Sequence, residues 1–251
     1  NGNKPIIVNF HHEQLTNPGS LEWILPTGEA QKIYHISWGN FFTEALIQSG
    51  CAPETIIQSG NIRLDFFKKR LRNVSTKKEY LVAKYGLDPN KTWILFIANS
   101  FHLLTKVKLE NMLKEGLDVI DQIQSSTENR EYFLEFVKQY LSNRSDVIFI
   151  YRPHPSYAQQ DKETLEIRNM MQKYSKNFYC ISDLAIRDWI LNVDMCISFH
   201  STSVIECSIG KIPFYLLRVI PLDASKDYSF FLNYPFIIKD YDTFKSAIQK
   251  K

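Results

Sequence analysis

The 251-residue sequence is poor in cysteine: it has four, none forming a C-x-x-C pair. Cys51, Cys180, Cys196 and Cys207 stand far apart. Two fall inside the apolar runs Phe178-Tyr179-Cys180-Ile181 and Met195-Cys196-Ile197, where a thiol acts as a small buried hydrophobe. That pattern argues against a disulfide framework and against a zinc site. Long apolar stretches are missing too, since none approaches the roughly 20 residues needed to span a bilayer. No leader-like segment stands ahead of Lys4, so a cytoplasmic location is expected, at the inner membrane face if a membrane is touched at all. Excess charge of one sign is absent: the formal net charge is +3, and the densest basic run is Lys68-Lys69-Arg70-Leu71-Arg72. Such a run reads as the solvated face of a linker or helix, so no nucleic-acid partner is expected. No Asp, Glu or His cluster shows metal-ligand spacing, so no metal is expected either. An initiator methionine is lacking as well; Asn1-Gly2-Asn3 leads almost at once into a strand-like run, which reads as a piece of a longer chain.

What remains is ordinary globular composition, 44% hydrophobic and 23% charged, enough for one good core or two small ones. Apolar, β-branched or aromatic runs predict strands at 5–10, 32–37, 55–59, 92–98, 146–152, 177–181, 195–199 and 212–217. Helical patterns lie between most of them. Phe41, Phe42, Ala45 and Leu46 line one helical face that Gly50 can end. Met112, Leu113, Leu117, Ile120 and Ile123 form one stripe; Phe133, Phe136, Val137, Tyr140 and Leu141 form another after an expected polar break at 124–130. Two short helices are expected at 186–191 and 201–209. Alternating βα units with continuous apolar strands imply an α/β protein whose parallel sheet is covered on both faces. Right-handed crossovers then bring every strand's C-terminal end to one edge, where ligands of such sheets bind. A charged segment at 68–84 marks the expected boundary, giving an N-terminal α/β remainder with linker over 1–75 and a Rossmann-like domain over 76–251.

Two loops at that edge carry chemistry. The strand at 146–152 runs into Arg152-Pro153-His154-Pro155. Arginine presents a planar fork of donors to phosphate oxygens, and histidine donates a proton or hydrogen bond near neutral pH. The flanking prolines stiffen the backbone around His154; the competing reading is a stiff turn with an exposed His and Arg. The strand at 195–199 runs into His200-Ser201-Thr202-Ser203, ahead of a helix. Hydroxyls and backbone N–H groups at a helix N-terminus bind anions, while plain N-capping is the alternative. Glu206, one turn into that helix, would reach ribose hydroxyls or stand as a surface glutamate. Earlier, His11-His12-Glu13 follows a strand; His12 or Glu13 is the expected general base for a sugar hydroxyl, against a solvated loop pair. Arg63 and Asp65, in Gly60-Asn61-Ile62-Arg63-Leu64-Asp65, would close a domain interface or touch a donor.

Taken in order, Glu13-Gln14, Ser37-Trp38-Gly39, the 60–65 segment, Arg152-Pro153-His154-Pro155, Phe199-His200-Ser201-Thr202-Ser203-Val204-Ile205-Glu206 and Gly210-Lys211-Ile212-Pro213 resemble bacterial surface-carbohydrate (capsule or lipopolysaccharide) biosynthesis proteins. Those are similar to glycosyltransferases of the GT-B fold, with two facing Rossmann-like domains. A looser likeness extends to Kdo transferases, bacterial sialyltransferases and teichoic-acid glycerophosphotransferases. The resemblance, over about residues 10–215, implies donor-phosphate contacts for His154 and for Ser201, Thr202 and Ser203. It implies a nucleotide-activated sugar donor, CMP-linked, serving as substrate with no separate cofactor, and a glycan or glycolipid acceptor, with peripheral membrane association in prospect. The Asp-containing catalytic motif of the sialyltransferases is not recognisable, and the first domain, which in those relatives precedes the His-Glu-Gln region, is expected to be largely missing from this sequence. The expected activity is glycosyl transfer to a surface polysaccharide. The alternatives are glycerophosphate transfer from CDP-glycerol, nucleotide-sugar epimerisation and a non-catalytic module that binds a nucleotide or serves as a scaffold.

Overall fold

The computed structural model describes residues 5–11, 14, 21, 24–99, 106–114, 119–155 and 160–250. His12 and Glu13 therefore lie outside the described residues. The chain divides into two compact units, Asn1–Phe66 and Phe67–Lys251. The division falls ahead of residue 75 because Phe67, only 2% exposed, is part of the second unit's core. Beyond it, Thr76 N–H donates to Asp188 Oδ1 and Asn192 Nδ2 donates to Thr76 O, tying this stretch to the same unit.

Unit 1 holds a three-stranded parallel sheet, β1 (Val8–Phe10), β2 (Tyr34–Ser37) and β3 (Ile56–Gln58), in that spatial order. Helix α1 (Asn40–Gln48) buries Phe42, Ala45 and Leu46 of the predicted face, whereas Phe41 is exposed. Gly50 follows with φ +103°, a left-handed conformation that glycine adopts without strain. Phe42, Leu46 and Cys51 form the small core.

Unit 2 holds six parallel strands: β4 (Thr92–Ile97), β5 (Val147–Arg152), β6 (Phe178–Cys180), β7 (Met195–Ser198), β8 (Phe214–Leu217) and β9 (Ile237–Ile238). Their spatial order is β6-β5-β4-β7-β8-β9, all parallel. The central strands are buried on both faces, and successive side chains go to opposite sides as strand geometry requires. From β4, Ile94 and Phe96 enter one core with α4 (Ile120–Leu141), α5 (Gln160–Met171) and α8 (Tyr241–Gln249); Trp93, Leu95 and Ile97 enter another. That second face is covered by α2 (Lys78–Tyr85), α6 (Ile186–Ile190) and α7 (Ser203–Gly210). Each fully buried large side chain here contributes about 1.5–3 kcal/mol relative to exposure. A short helix α3 (Lys106–Lys114) precedes α4.

The expected polar break at 124–130 does not interrupt the helix; α4 runs straight through it. Gln122, Ser126 and Asn129 are buried on the same stripe that Phe133, Val137 and Tyr140 continue. The apolar half of the stripe lies on the sheet. The polar half meets loops at the sheet's edge: Ser126 Oγ bonds Asn99 Oδ1 at 2.5 Å, after β4. Asn129 Oδ1 accepts from Val219 N and Ile220 N, and its Nδ2 donates to Ile220 O, after β8. A buried polar run inside a helix is stable only when so satisfied.

Candidate functional site

From β4 the chain steps through β5 to β6 on one side, then crosses to β7, β8 and β9 on the other. The reversal lies between β4 and β7, which is where ligands of doubly wound sheets bind. Ser198 Oγ donates to Ile97 O at 2.7 Å across this junction. The loop after β7 opens at the reversal. The loop after β5 opens on the far side of β4, about 10 Å away given strand spacings of about 4.8 Å. The two loops share one edge but are not adjacent.

Arg152 has a different task from the expected phosphate contact. It is 6% exposed; Nη1 donates to Asp183 O at 2.6 Å, and Nη2 donates to Leu184 O. Leu184 is left-handed (φ 63°), and the Asp183 carbonyl also accepts from Trp189 Nε1. The guanidinium thus braces the loop after β6. Pro153 is buried, and His154, next to it, is half-buried.

His200 is also drawn inward. Its ring stacks on Tyr228 (4.2 Å, 14°) and meets Phe231 edge-on. Burial, aided by the nearby Arg218 charge, pushes its pKa down to about 3. Asp227 Oδ1 stands 3.6 Å from Nε2, but a neutral imidazole at that distance is no ion pair; the counter-ion of Asp227 is Arg218, at 2.9 Å. Arg218 lies just past β8, donates through Nη1 to Phe199 O, and lays its guanidinium 4.5 Å over the Phe199 ring. It braces the loop after β7 as Arg152 braces the loop after β6. Sequence reasoning passed over Arg218 and Asp227, although the criterion that singled out Arg152, an arginine closing a strand, applies equally to Arg218.

Ser201 and Thr202 are half-buried and Ser203 is buried. Ser201 Oγ accepts from Ser203 N at 3.2 Å, so one hydroxyl caps the start of α7, while Thr202, at the N-cap position, makes no side-chain cap. The positive end of the α7 dipole therefore points at the reversal. Glu206 is buried, 8% exposed, which removes the surface-glutamate alternative. Among the described residues no group of three or more His, Cys, Asp or Glu is placed to hold a metal ion.

Unit 1 has a separate cleft of about 150 Å³ at its own C-terminal strand edge, bounded by Phe10, His11, Trp38, Asn61 and Arg63. Arg63 is exposed and Asp65 half-buried on a 3₁₀ turn, Ile62–Phe67. Asn61 Oδ1 accepts from Arg63 N at 3.0 Å. Gln14, expected as part of a motif, clasps β2: Nε2 donates to Ile36 O and Oε1 accepts from Trp38 N.

No family profile and no curated protein matches the sequence. Solved structures do. The UDP-GlcNAc 2-epimerase of Methanocaldococcus jannaschii superposes with a TM-score of 0.50 at 14% identity, over 86% of this chain and 54% of its own. The same enzyme in complex with UDP-GlcNAc and UDP gives 0.50 at 14%, over 88% and 54%. The wall teichoic acid polymerase TagF, as a variant soaked with CDPG, gives 0.50 at 15%, over 87% and 48%. The fold is thus α/β of GT-B type, a Rossmann-like parallel-sheet unit with part of a second α/β unit. This chain spans about half the length of the structures it matches.

Proposed function

We propose that the chain is part of a glycosyltransferase that moves a sugar from a nucleotide-activated donor, CMP-linked, to a glycan or glycolipid of a bacterial surface polysaccharide. The observation that carries this reading is the N-terminus of α7, with Ser201, Thr202 and Ser203, opening at the strand reversal of unit 2. Departure of the nucleotide builds negative charge on its phosphate. Fixed N–H dipoles and hydroxyls lower the energy of that charge as it forms, in the place of a divalent ion. His154 adds a donor from the loop after β5, and Glu206 holds the ribose hydroxyls. Arg152 and Arg218 act as braces that keep these groups in position. Residues 1–66 belong to the acceptor side and residues 67–251 to the donor side. Solved structures of this fold carry UDP-GlcNAc and UDP in one case and CDPG in another, which supports a nucleotide-linked substrate as the class.

Thermal-shift screening against CMP, CDP, UDP and GDP tests the proposal. A ligand at 100 times its dissociation constant raises stability by about 2.7 kcal/mol, and CMP is expected to give the largest shift. A response to CDP in place of CMP would turn the reading towards glycerophosphate transfer. A response confined to UDP, the ligand of the archaeal epimerase, would sink the cytidine assignment and favour epimerisation of a UDP-sugar. Silence with all four would leave a scaffold.

A further inference from the structure

We propose that unit 2 carries a lipid site apart from the strand reversal: a cleft beside α7 that takes the hydrocarbon chain of a single-chain lipid, with its anionic head at Lys211. The site is independent of the transfer reading above. The cleft encloses about 740 Å³, within the roughly 300–1,000 Å³ of small-molecule sites, which are mostly apolar with a few placed polar groups. One side of it is a face of α7. Val204, Ser208 and Lys211 line it at the i, i+4 and i+7 spacing that stacks residues along a helix, with Ile205 beside them. Much of the remaining lining is aromatic, from Phe214, Phe230, Tyr234 and Phe236.

Those rings are held in place by the fold. Tyr234 Oη donates to Phe214 O at 2.9 Å, and Leu216 N donates to Phe236 O at 2.8 Å beside the pairing of β8 with β9. The Tyr234 ring meets those of Phe214 and Phe236 edge-on at 6.0 and 5.9 Å. Phe230 and Phe236 nevertheless stand 38% and 53% exposed, so the lining keeps aromatic surface in water that a hydrocarbon chain would cover. Charge sets which end of the lipid lies where. Among the described residues of the lining Lys211 alone is charged. It is exposed, and its ammonium makes no hydrogen bond or ion pair with a described residue, which suits an anionic head and repels a cationic one. Lys211 stands where α7 ends and β8 is about to begin, about 10 Å along the helix from Val204 at a rise of about 1.5 Å per residue. A head group there leaves the start of α7 clear.

Octyl, decyl and dodecyl phosphate, each below its micelle concentration, test the site by calorimetry on the full chain. Affinity should rise about fourfold per added methylene until the cleft is full. Dodecyl maltoside, without the charge, and dodecyltrimethylammonium, with the opposite one, should bind more weakly. Ser208→Phe, at an exposed position, should fill the cleft and abolish binding with Tm kept, whereas Ser208→Ala should leave binding unchanged. Lys211→Gln should weaken dodecyl phosphate about two- to fivefold and leave dodecyl maltoside unaffected. CMP should not displace the lipid. Affinity that does not grow with chain length, or dodecyl phosphate bound as tightly by Ser208→Phe as by the native chain, would overturn the inference. Displacement by CMP would do the same, since the lipid would then lie at the reversal. So would a dimer in sedimentation that Ser208→Phe dissociates while dodecyl phosphate is not taken up, which would make the cleft a contact between two copies of the chain.

Discussion

Asn129 gives the sharpest handle on how the edge of unit 2 is built. It is fully buried in α4, and its amide makes four hydrogen bonds: two accepted from Val219 N (2.9 Å) and Ile220 N (3.2 Å), two donated to Ile220 O (2.8 Å) and Ser125 O (2.7 Å). Asn129→Ala strips partners from two N–H groups and a carbonyl of the loop after β8. Each such group left dry costs about 1–3 kcal/mol, so about 3–9 kcal/mol is expected if the loop keeps its place, less if it swings into water. For a unit of this size that lowers Tm by the order of 10 °C. Asn129→Asp keeps the acceptor but sets a carboxylate against two carbonyl oxygens, so it should lose at least as much at pH 7. Urea melts give the free energy, and amide exchange at Val219 and Ile220 reports the loop. A loss under about 1 kcal/mol with unchanged protection of those two amides would refute the claim that the polar half of α4 holds this loop.

Three further substitutions and one titration follow from helix α7 and the His200 ring. Helix α7 ends with Lys211 in the left-handed region (φ 60°), whereas Gly210 is buried with its Cβ position 3.2 Å from Phe67 Cδ1. Lys211→Gly should therefore raise stability by up to about 1 kcal/mol, because relief of left-handed strain exceeds the entropy that glycine loses. Gly210→Val should lower it by about 1–3 kcal/mol through overpacking; chemical denaturation of both checks the pair, and the reverse ordering would refute it. The His200 pKa is about 3 when folded against 6.5 as its ordinary value. Between those values the unfolded chain binds the extra proton, so stability falls as pH drops from 6.5 towards 3, by the order of a few kcal/mol. Melts at pH 7, 5 and 4 should show that fall, and His200→Phe, which suits the Tyr228 and Phe231 rings, should flatten it.

All eight expected runs contain strands, trimmed at their ends; those at the centre of unit 2 were legible because a parallel strand buried on both faces is written as a continuous apolar run, whereas β1 and β3, largely exposed, were legible from β-branched and aromatic residues alone. Among the described residues a ninth, Ile237–Ile238, pairs with β8, and its local signal, the run Phe236-Ile237-Ile238, is too short to stand out. Helix α8 did leave a signal that was missed, the Asp240 to Thr243 capping box. The false break at 124–130 shows the limit of hydrophobic periodicity. A helix that extends past the sheet to meet loop backbone needs amides and hydroxyls on its inner face, and these read as an interruption.

The same limit explains what was legible of the site. Position along the chain brought the loops after β5 and β7 to one edge, because that follows from parallel topology alone. It could not say which way a strand-ending arginine turns. Arg152 turns sideways because the left-handed Leu184 accompanies a loop whose carbonyls at 183 and 184 both accept from it, and Arg218 turns sideways to Phe199 O. Both cations therefore stiffen backbone. This arrangement has a chemical consequence for any anion bound at the reversal. A phosphate held by N–H dipoles and hydroxyls gains most when those groups are already fixed before charge develops. Braced loops supply that fixity, and a brace lost should weaken an anion's binding even though the arginine never touches it.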